Sequence, residues 1–190
     1  VQTGFATFLG RVWLSGKIGV TVPLGKTVED PFALGEQGLP HQHIQFGTGT
    51  WNPLATLDTA VRIDPVTLRL FGQAELVLYE SSRGFRSGNK FGGGIAGDMA
   101  IWRHLRGSLG LEVMNEQAER WDGVYQQDGN LGRTDMLVSA ALMHPVGQFG
   151  LSLAVRVPVY QRVNWGPHGA GQLQYPAILS FGLQRTVDLF

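Results

Sequence analysis

The sequence predicts an all-β fold, an antiparallel up-and-down β-barrel that crosses a membrane with its strands. Three observations lead there. Ribbons of roughly ten residues, in which apolar and polar side chains alternate, recur along the chain. The connectors between ribbons alternate between short and long. Charged residues make up 16% of the chain, where soluble domains carry about 25%. The 27 glycines are about twice the usual share.

Strands are expected at 3–12, 17–25, 54–64, 67–80, 90–105, 107–118, 134–145, 149–162 and 175–190. The third is the clearest. Ala55, Leu57, Thr59, Val61 and Ile63 share one face, and Thr56, Asp58, Ala60, Arg62 and Asp64 the other, because successive β side chains point to opposite sides. In the fourth, Leu68, Leu70, Ala74, Leu76 and Leu78 oppose Arg69, Gln73, Glu75 and Tyr79. In the sixth, Leu109, Leu111 and Val113 oppose Glu112 and Glu116. In the eighth, Leu151, Leu153, Val155 and Val157 alternate with Ser152, Ala154 and Arg156. A period of 3.6 residues is sustained nowhere.

Ser15-Gly16, Asp64-Pro65-Val66, Arg106-Gly107 and Gly147-Gln148 are turn material. Short connectors are therefore placed near 13–16, 64–66, 105–107 and 146–148, and longer ones at 26–53, 81–89, 119–133 and 163–174. Outer-membrane barrels sort their connectors this way, with short periplasmic turns and longer external loops. Pro23 and Pro158 fall inside expected strands. A closed barrel has no edge where a missing donor is free, so a bulge or lapsed pairing is expected at each.

At 190 residues the chain is read as one domain, 1–190. Lysine plus arginine equals aspartate plus glutamate, 15 each, so no global field favours nucleic acid or acidic lipid as a partner. No apolar run is long enough for a membrane-spanning helix, and there is no cysteine. The chain opens at Val1 without a signal peptide; either processing removed one or the start is missing. Parity points the same way. If Phe190 ends on the periplasmic side, the first visible strand also runs downward, whereas bacterial single-chain barrels have even strand numbers. At least one N-terminal strand is expected upstream, giving ten to twelve in the whole protein.

Alternation by itself leaves the faces open: a lipocalin-like barrel turns its apolar face inward, a membrane barrel outward. The polar face carries full charges of both signs, Asp58, Arg62, Arg69, Glu75, Asp98, Glu112 and Arg156. These are assigned to the lumen, where they pair across it and offset desolvation. Trp13 and Trp102 stand beside short turns, and Trp51, Trp121, Trp165, Tyr79 and Tyr160 near long loops, as two interfacial girdles require. The chain ends in phenylalanine, the usual last residue of such barrels. Counting back from Phe190, however, the alternate positions are Asp188, Thr186 and Gln184, while Leu189, Val187, Leu183, Phe181 and Leu179 stand one register away. A bulge near Arg185 restores the phase.

Three stretches carry a family resemblance: Ile18-Gly19-Val20-Thr21-Val22-Pro23-Leu24-Gly25, His43-Ile44-Gln45-Phe46-Gly47-Thr48-Gly49-Thr50-Trp51-Asn52-Pro53, and Val157-Pro158-Val159-Tyr160-Gln161-Arg162-Val163-Asn164. Together, and in this order, they resemble the outer-membrane β-barrel family known as putative meta-pathway phenol-degradation (transporter) proteins. Asn52 stands where members of that family often have aspartate. The resemblance implies an outer-membrane barrel, and members usually extend further at the amino end. No residue here supports a phenol substrate.

Candidate chemistry is sparse. His41-Gln42-His43 would point two imidazoles one way in extended chain, toward a loop-bound copper or zinc. Glu29, Asp30, Glu36 and His168 lie in the same set of loops. The plainer reading is a solvated loop, and no resident cofactor is expected. Phe46–Thr50 lacks the lysine and following helix of a phosphate-binding loop and reads as a tight external turn. His104 and His144 sit near short turns as interfacial residues. No Ser-His-Asp spacing is present, and the chain is not expected to be an enzyme. The expectation is a narrow channel or transporter for small solutes in the bacterial outer membrane, because an interior of ten to twelve strands is largely filled by side chains. The alternative is a non-conducting structural or scaffold barrel within a larger envelope complex. The expected partners are the lipid bilayer and, for the scaffold, other envelope proteins.

Overall fold

The computed structural model describes residues 1–41, 46–164, 166 and 173–185. In chain order the elements are β1 (Gln2–Leu9), β2 (Val12–Val20), helix α1 (Pro31–Glu36), β3 (Pro53–Ile63), β4 (Val66–Glu75), the short β5 (Phe85–Arg86), β6 (Lys90–Trp102), β7 (Leu105–Glu116), the short β8 (Arg120–Trp121), β9 (Arg133–Val146), β10 (Phe149–Val163) and β11 (Ile178–Arg185). The long strands form one sheet of nine, ordered β1-β2-β3-β4-β6-β7-β9-β10-β11. Every neighbouring pair is antiparallel. The sheet is open among the described residues. β1 and β11 are its edges, and they run parallel to each other because an even number of antiparallel steps separates them.

The short connectors are two-residue hairpin turns: Gly10-Arg11, Asp64-Pro65, Arg103-His104 and Gly147-Gln148. Gly10, Arg103 and Gly147 take positive φ of 63°, 43° and 60°, the backbone that matches the twist of flanking strands. The first hairpin corrects the sequence reading. Ser15-Gly16 lies inside β2, not in a turn, and the strand expected at 17–25 is Val12–Val20. Gly16 pairs with Phe5 across the ladder, and the Phe5 ring covers the space a Cβ on Gly16 would take, 2.8 Å from it. Pairing lapses before Pro23, and β10 shifts register between Pro158 and Tyr160, as residues without a backbone donor require. Arg185 stays in register with Phe149, so no bulge precedes it. The strand expected to reach residue 80 ends at Glu75.

Ladder register fixes the two faces. One row runs Thr59-Leu70-Ile95-Leu111-Val138-Val157, and the next Val61-Leu68-Gly97-Leu109-Ala140-Val155-Leu179. These aliphatic side chains are open: Leu70 is 58% exposed, Leu109 69% and Phe181, two residues on from Leu179, 74%. The opposite face is concave. A cavity of about 200 Å³ touches Gln2 of β1 and also Arg133 and Asp135 of β9. In a flat sheet those strands, six ladder steps apart, would stand roughly 29 Å from each other. No cavity of that volume bridges such a gap, so the sheet must curl around its polar side.

No second layer covers the aliphatic face among the described residues, where the single helix is the six-residue α1. The consequence shows in the area. The chain exposes 12627 Å², against roughly 8,900 Å² for a compact water-soluble protein of this mass. No helix is long and apolar enough to cross a membrane.

Candidate functional site

The candidate site is the concave face together with the loops over its upper end. Asp58, Arg62, Arg69, Glu75, Asp98, Glu112 and Arg156 all fall on that face by register. Arg69 Nε donates to Asp98 Oδ2 at 2.6 Å, and Arg156 Nε lies 3.7 Å from Glu112 Oε1. Both pairs run along the wall between neighbouring or next-neighbouring strands, not across an opening as expected. Arg62 departs further. It turns to Asp64 at 2.7 Å, with both side chains 75% exposed, and so belongs to the turn rim.

Three charges the sequence reading passed over, Lys90, Arg133 and Asp135, gather where the cavity lies, beside Glu116, which it had placed on the polar face. Lys90, Glu116, Arg133 and Asp135 line it with Glu75. Arg133 Nε and Nη2 donate to Asp135 at 2.9 and 3.1 Å, and the Tyr175 hydroxyl donates to the same carboxylate at 3.0 Å. Burial first, and then Asp135, pushes the Tyr175 phenol above its ordinary value. The signal was present: each of the four cavity charges holds an inward position in the same alternation.

The loop end is knitted by polar contacts. Asn52 is 1% exposed. Its side chain accepts from Thr50 Oγ1 at 2.8 Å and donates to Glu75 Oε1 at 3.0 Å, while its backbone pairs with Thr21. Asn52 thus fastens the start of β3 to the ends of β2 and β4. The turn expected around 46–50 is present, with Gly49 at φ 68°. Gly47 of that turn and Gly25 pack backbone against backbone, and a Cβ on either would overlap the other. Trp121 was expected at an interface. It is instead 2% exposed, tilted against Phe85 at 4.9 Å between centroids, where β5 and β8 pair to form a small cap. Trp13 also corrects, since its register with Ala60 places it on the concave face. Trp51, Tyr79, Tyr160 and Trp102 are exposed near the strand ends, and Trp165 lies outside the described residues.

The metal reading gains no geometry. The His41 ring nitrogen Nδ1 contacts the Leu39 carbonyl at 2.9 Å, Glu29 pairs with Arg83, and Asp30 caps α1 through the Phe32 N–H. His43 and His168 lie outside the described residues. Among the described residues no group of three or more His, Asp or Glu side chains converges to hold a metal ion.

Glu119 is the titratable group most altered in the cap. Burial raises its pKa, partly opposed by the Asn130 N–H, which donates to Oε1 at 3.1 Å. A raised folded-state value favours the protonated form, so the cap's stability is fullest below the ordinary carboxylate range and falls as pH rises through the folded value. Amide exchange in residues 117–132 is expected to slow as pH falls from neutral toward that range, after correction for intrinsic rates. Glu119→Gln should remove the dependence. Faster corrected exchange on acidification would contradict it.

No protein-family model and no curated protein sequence matches the chain.

Proposed function

We propose that this chain forms most of an outer-membrane β-barrel that lets small solutes through a narrow, charge-lined interior. The observation that supports it most directly is a single-layer sheet with exposed aliphatic rows on one side and charge pairs on the other. An apolar sheet face must be covered by something, and the described chain supplies no cover. Hydrocarbon is the cover that suits a continuous belt with aromatic residues at its ends. The resemblance described above agrees. An odd number of further strands between β1 and β11 closes the ring with antiparallel pairing throughout. The lumen assignment of Asp58, Arg69, Glu75, Asp98, Glu112 and Arg156 belongs to this reading, as does the bacterial outer membrane as its place.

The second reading, a non-conducting scaffold, is favoured by the lateral ion pairs, which tie the concave wall to itself, and by the loop cap. Conductance in planar bilayers decides between them. Discrete single-channel steps are expected, with altered ion selectivity in Arg156→Gln. A folded protein that stays silent, and that binds other envelope proteins stoichiometrically, would leave the scaffold standing.

A further inference from the structure

The chain is neutral overall, yet its charge is sorted along the strands. Arg11, Arg62, Arg103, Arg106 and Arg185, with His104 and His144, stand at the hairpin-turn end. Among the described residues Asp64 is the carboxylate at that end, and Arg62 takes it. The other described carboxylates lie mid-sheet or on the loop side. An exposed rim of unneutralised guanidinium groups favours an anionic surface.

Two of these arginines are held on the outer, aliphatic side. Trp102 pairs with Leu105, and Phe149 pairs with Arg185 one step beyond Leu151 and Leu183. The Arg103 guanidinium lies over the Trp102 ring at 5.1 Å, and that of Arg185 over Phe149 at 5.9 Å. Stacking on a ring leaves the edge of the guanidinium free for oxygen acceptors. Arg103 has no ion-pair partner among the described residues. His144 lies on the same face by register, on β9, roughly 10 Å from the Trp102 strand.

An apolar groove of about 600 Å³ opens on the same face toward that end. Met99, Ile101, Leu109, Leu142 and Leu153 line it, over Gly97 and Gly107. Gly97 makes the groove: a Cβ there would meet only Val66 and Leu68, at 3.5 and 3.7 Å, whereas the Ile101 side chain already covers Gly107. Its volume lies within the roughly 300–1,000 Å³ of ordinary ligand sites.

We infer that this groove and its rim hold one anionic glycerophospholipid, with an acyl chain against Gly97 and the phosphate between Arg103 and His144. The inference rests on the membrane reading and adds a specific site to it. The groove continues the aliphatic belt, which selects a hydrocarbon chain. Arg103 and Arg185, which have no ion-pair partner among the described residues, select a negative head at its end. The loop end carries most of the carboxylates, so the charge difference also selects the leaflet on the turn side.

The test uses the chain folded into bilayer discs of phosphatidylcholine, alone or with about one-third phosphatidylglycerol of the same acyl chains. Native mass spectrometry then counts the lipid retained. One phosphatidylglycerol per protein is expected, with no comparable retention of phosphatidylcholine. Arg103→Gln with Arg185→Gln should weaken retention by about fivefold per arginine. Gly97→Leu, which fills the groove and leaves the charges, should abolish it while insertion is unchanged. Equal retention of both lipids, or phosphatidylglycerol retained despite both variants, would overturn the site and leave the barrel intact. A chain that enters neither disc overturns the membrane reading and this site with it.

Discussion

Asp135→Ala is expected to lower folding stability by about 3 kcal/mol, as breaking a buried ion pair does. The Asp135 side chain is 5% exposed and that of Arg133 17%. Removing the carboxylate strands a largely buried guanidinium and takes away the acceptor of the Tyr175 hydroxyl. The matched control is Asp64→Ala. It breaks a contact to Arg62 that is shorter still, 2.7 Å against 2.9 Å, but with both side chains 75% exposed, so solvent screens it and the cost should stay within about 0.5 kcal/mol. Urea unfolding of both variants in the same micelles provides the comparison. Equal costs would mean that the upper concave face is open to water, and the cavity would lose its standing as a protected site. Replacing both partners by apolar residues of similar volume should restore much of the loss, because the penalty comes from the unpaired charge.

The strands were legible because period-two alternation is strong wherever one face is apolar. Register follows from it, since a one-residue slip would turn Leu70, Ile95 and Leu111 to the polar side. What misled was glycine. Ser15-Gly16 has turn composition, but Gly16 is small because the Phe5 ring rests on it, whereas the turn uses Gly10, whose positive φ nothing in the sequence distinguishes. Gly94 repeats the device on the concave face, where the Phe71 ring covers the place of its Cβ. The abundance of glycine is thus partly an aromatic-over-glycine packing signal. Trp121 misled for a related reason. An aromatic residue near a loop suits an interface or a core equally well, and only its pairing partner Phe85, 36 positions back along the chain, decides for the core. The ion pairs could be named as charges but not as partners, because Arg156 reaches Glu112 past the intervening strand β9 and alternation carries no information about such diagonals.

The claim that hydrocarbon covers the aliphatic face makes a prediction with a depth profile. Leu111→Arg, in the middle of the belt, is expected to cost about 2–4 kcal/mol when the chain folds into a bilayer, and the same change near a belt end about 0–1 kcal/mol. Ile63, at the last pair before the Asp64-Pro65 turn, supplies the end position. Leu111 is 40% exposed and Ile63 56%, so in water both substitutions should fall within about 0.5 kcal/mol. Exposure therefore predicts two similar small numbers, and a bilayer predicts two different ones. Equilibrium unfolding from vesicles measures the difference. A second copy of the chain lying on this face would also penalise Leu111→Arg, but that penalty would shrink as protein is diluted at fixed lipid, while the bilayer penalty depends on depth alone. A flat profile independent of dilution would remove hydrocarbon as the cover and, with it, the reason to call the concave side a lumen.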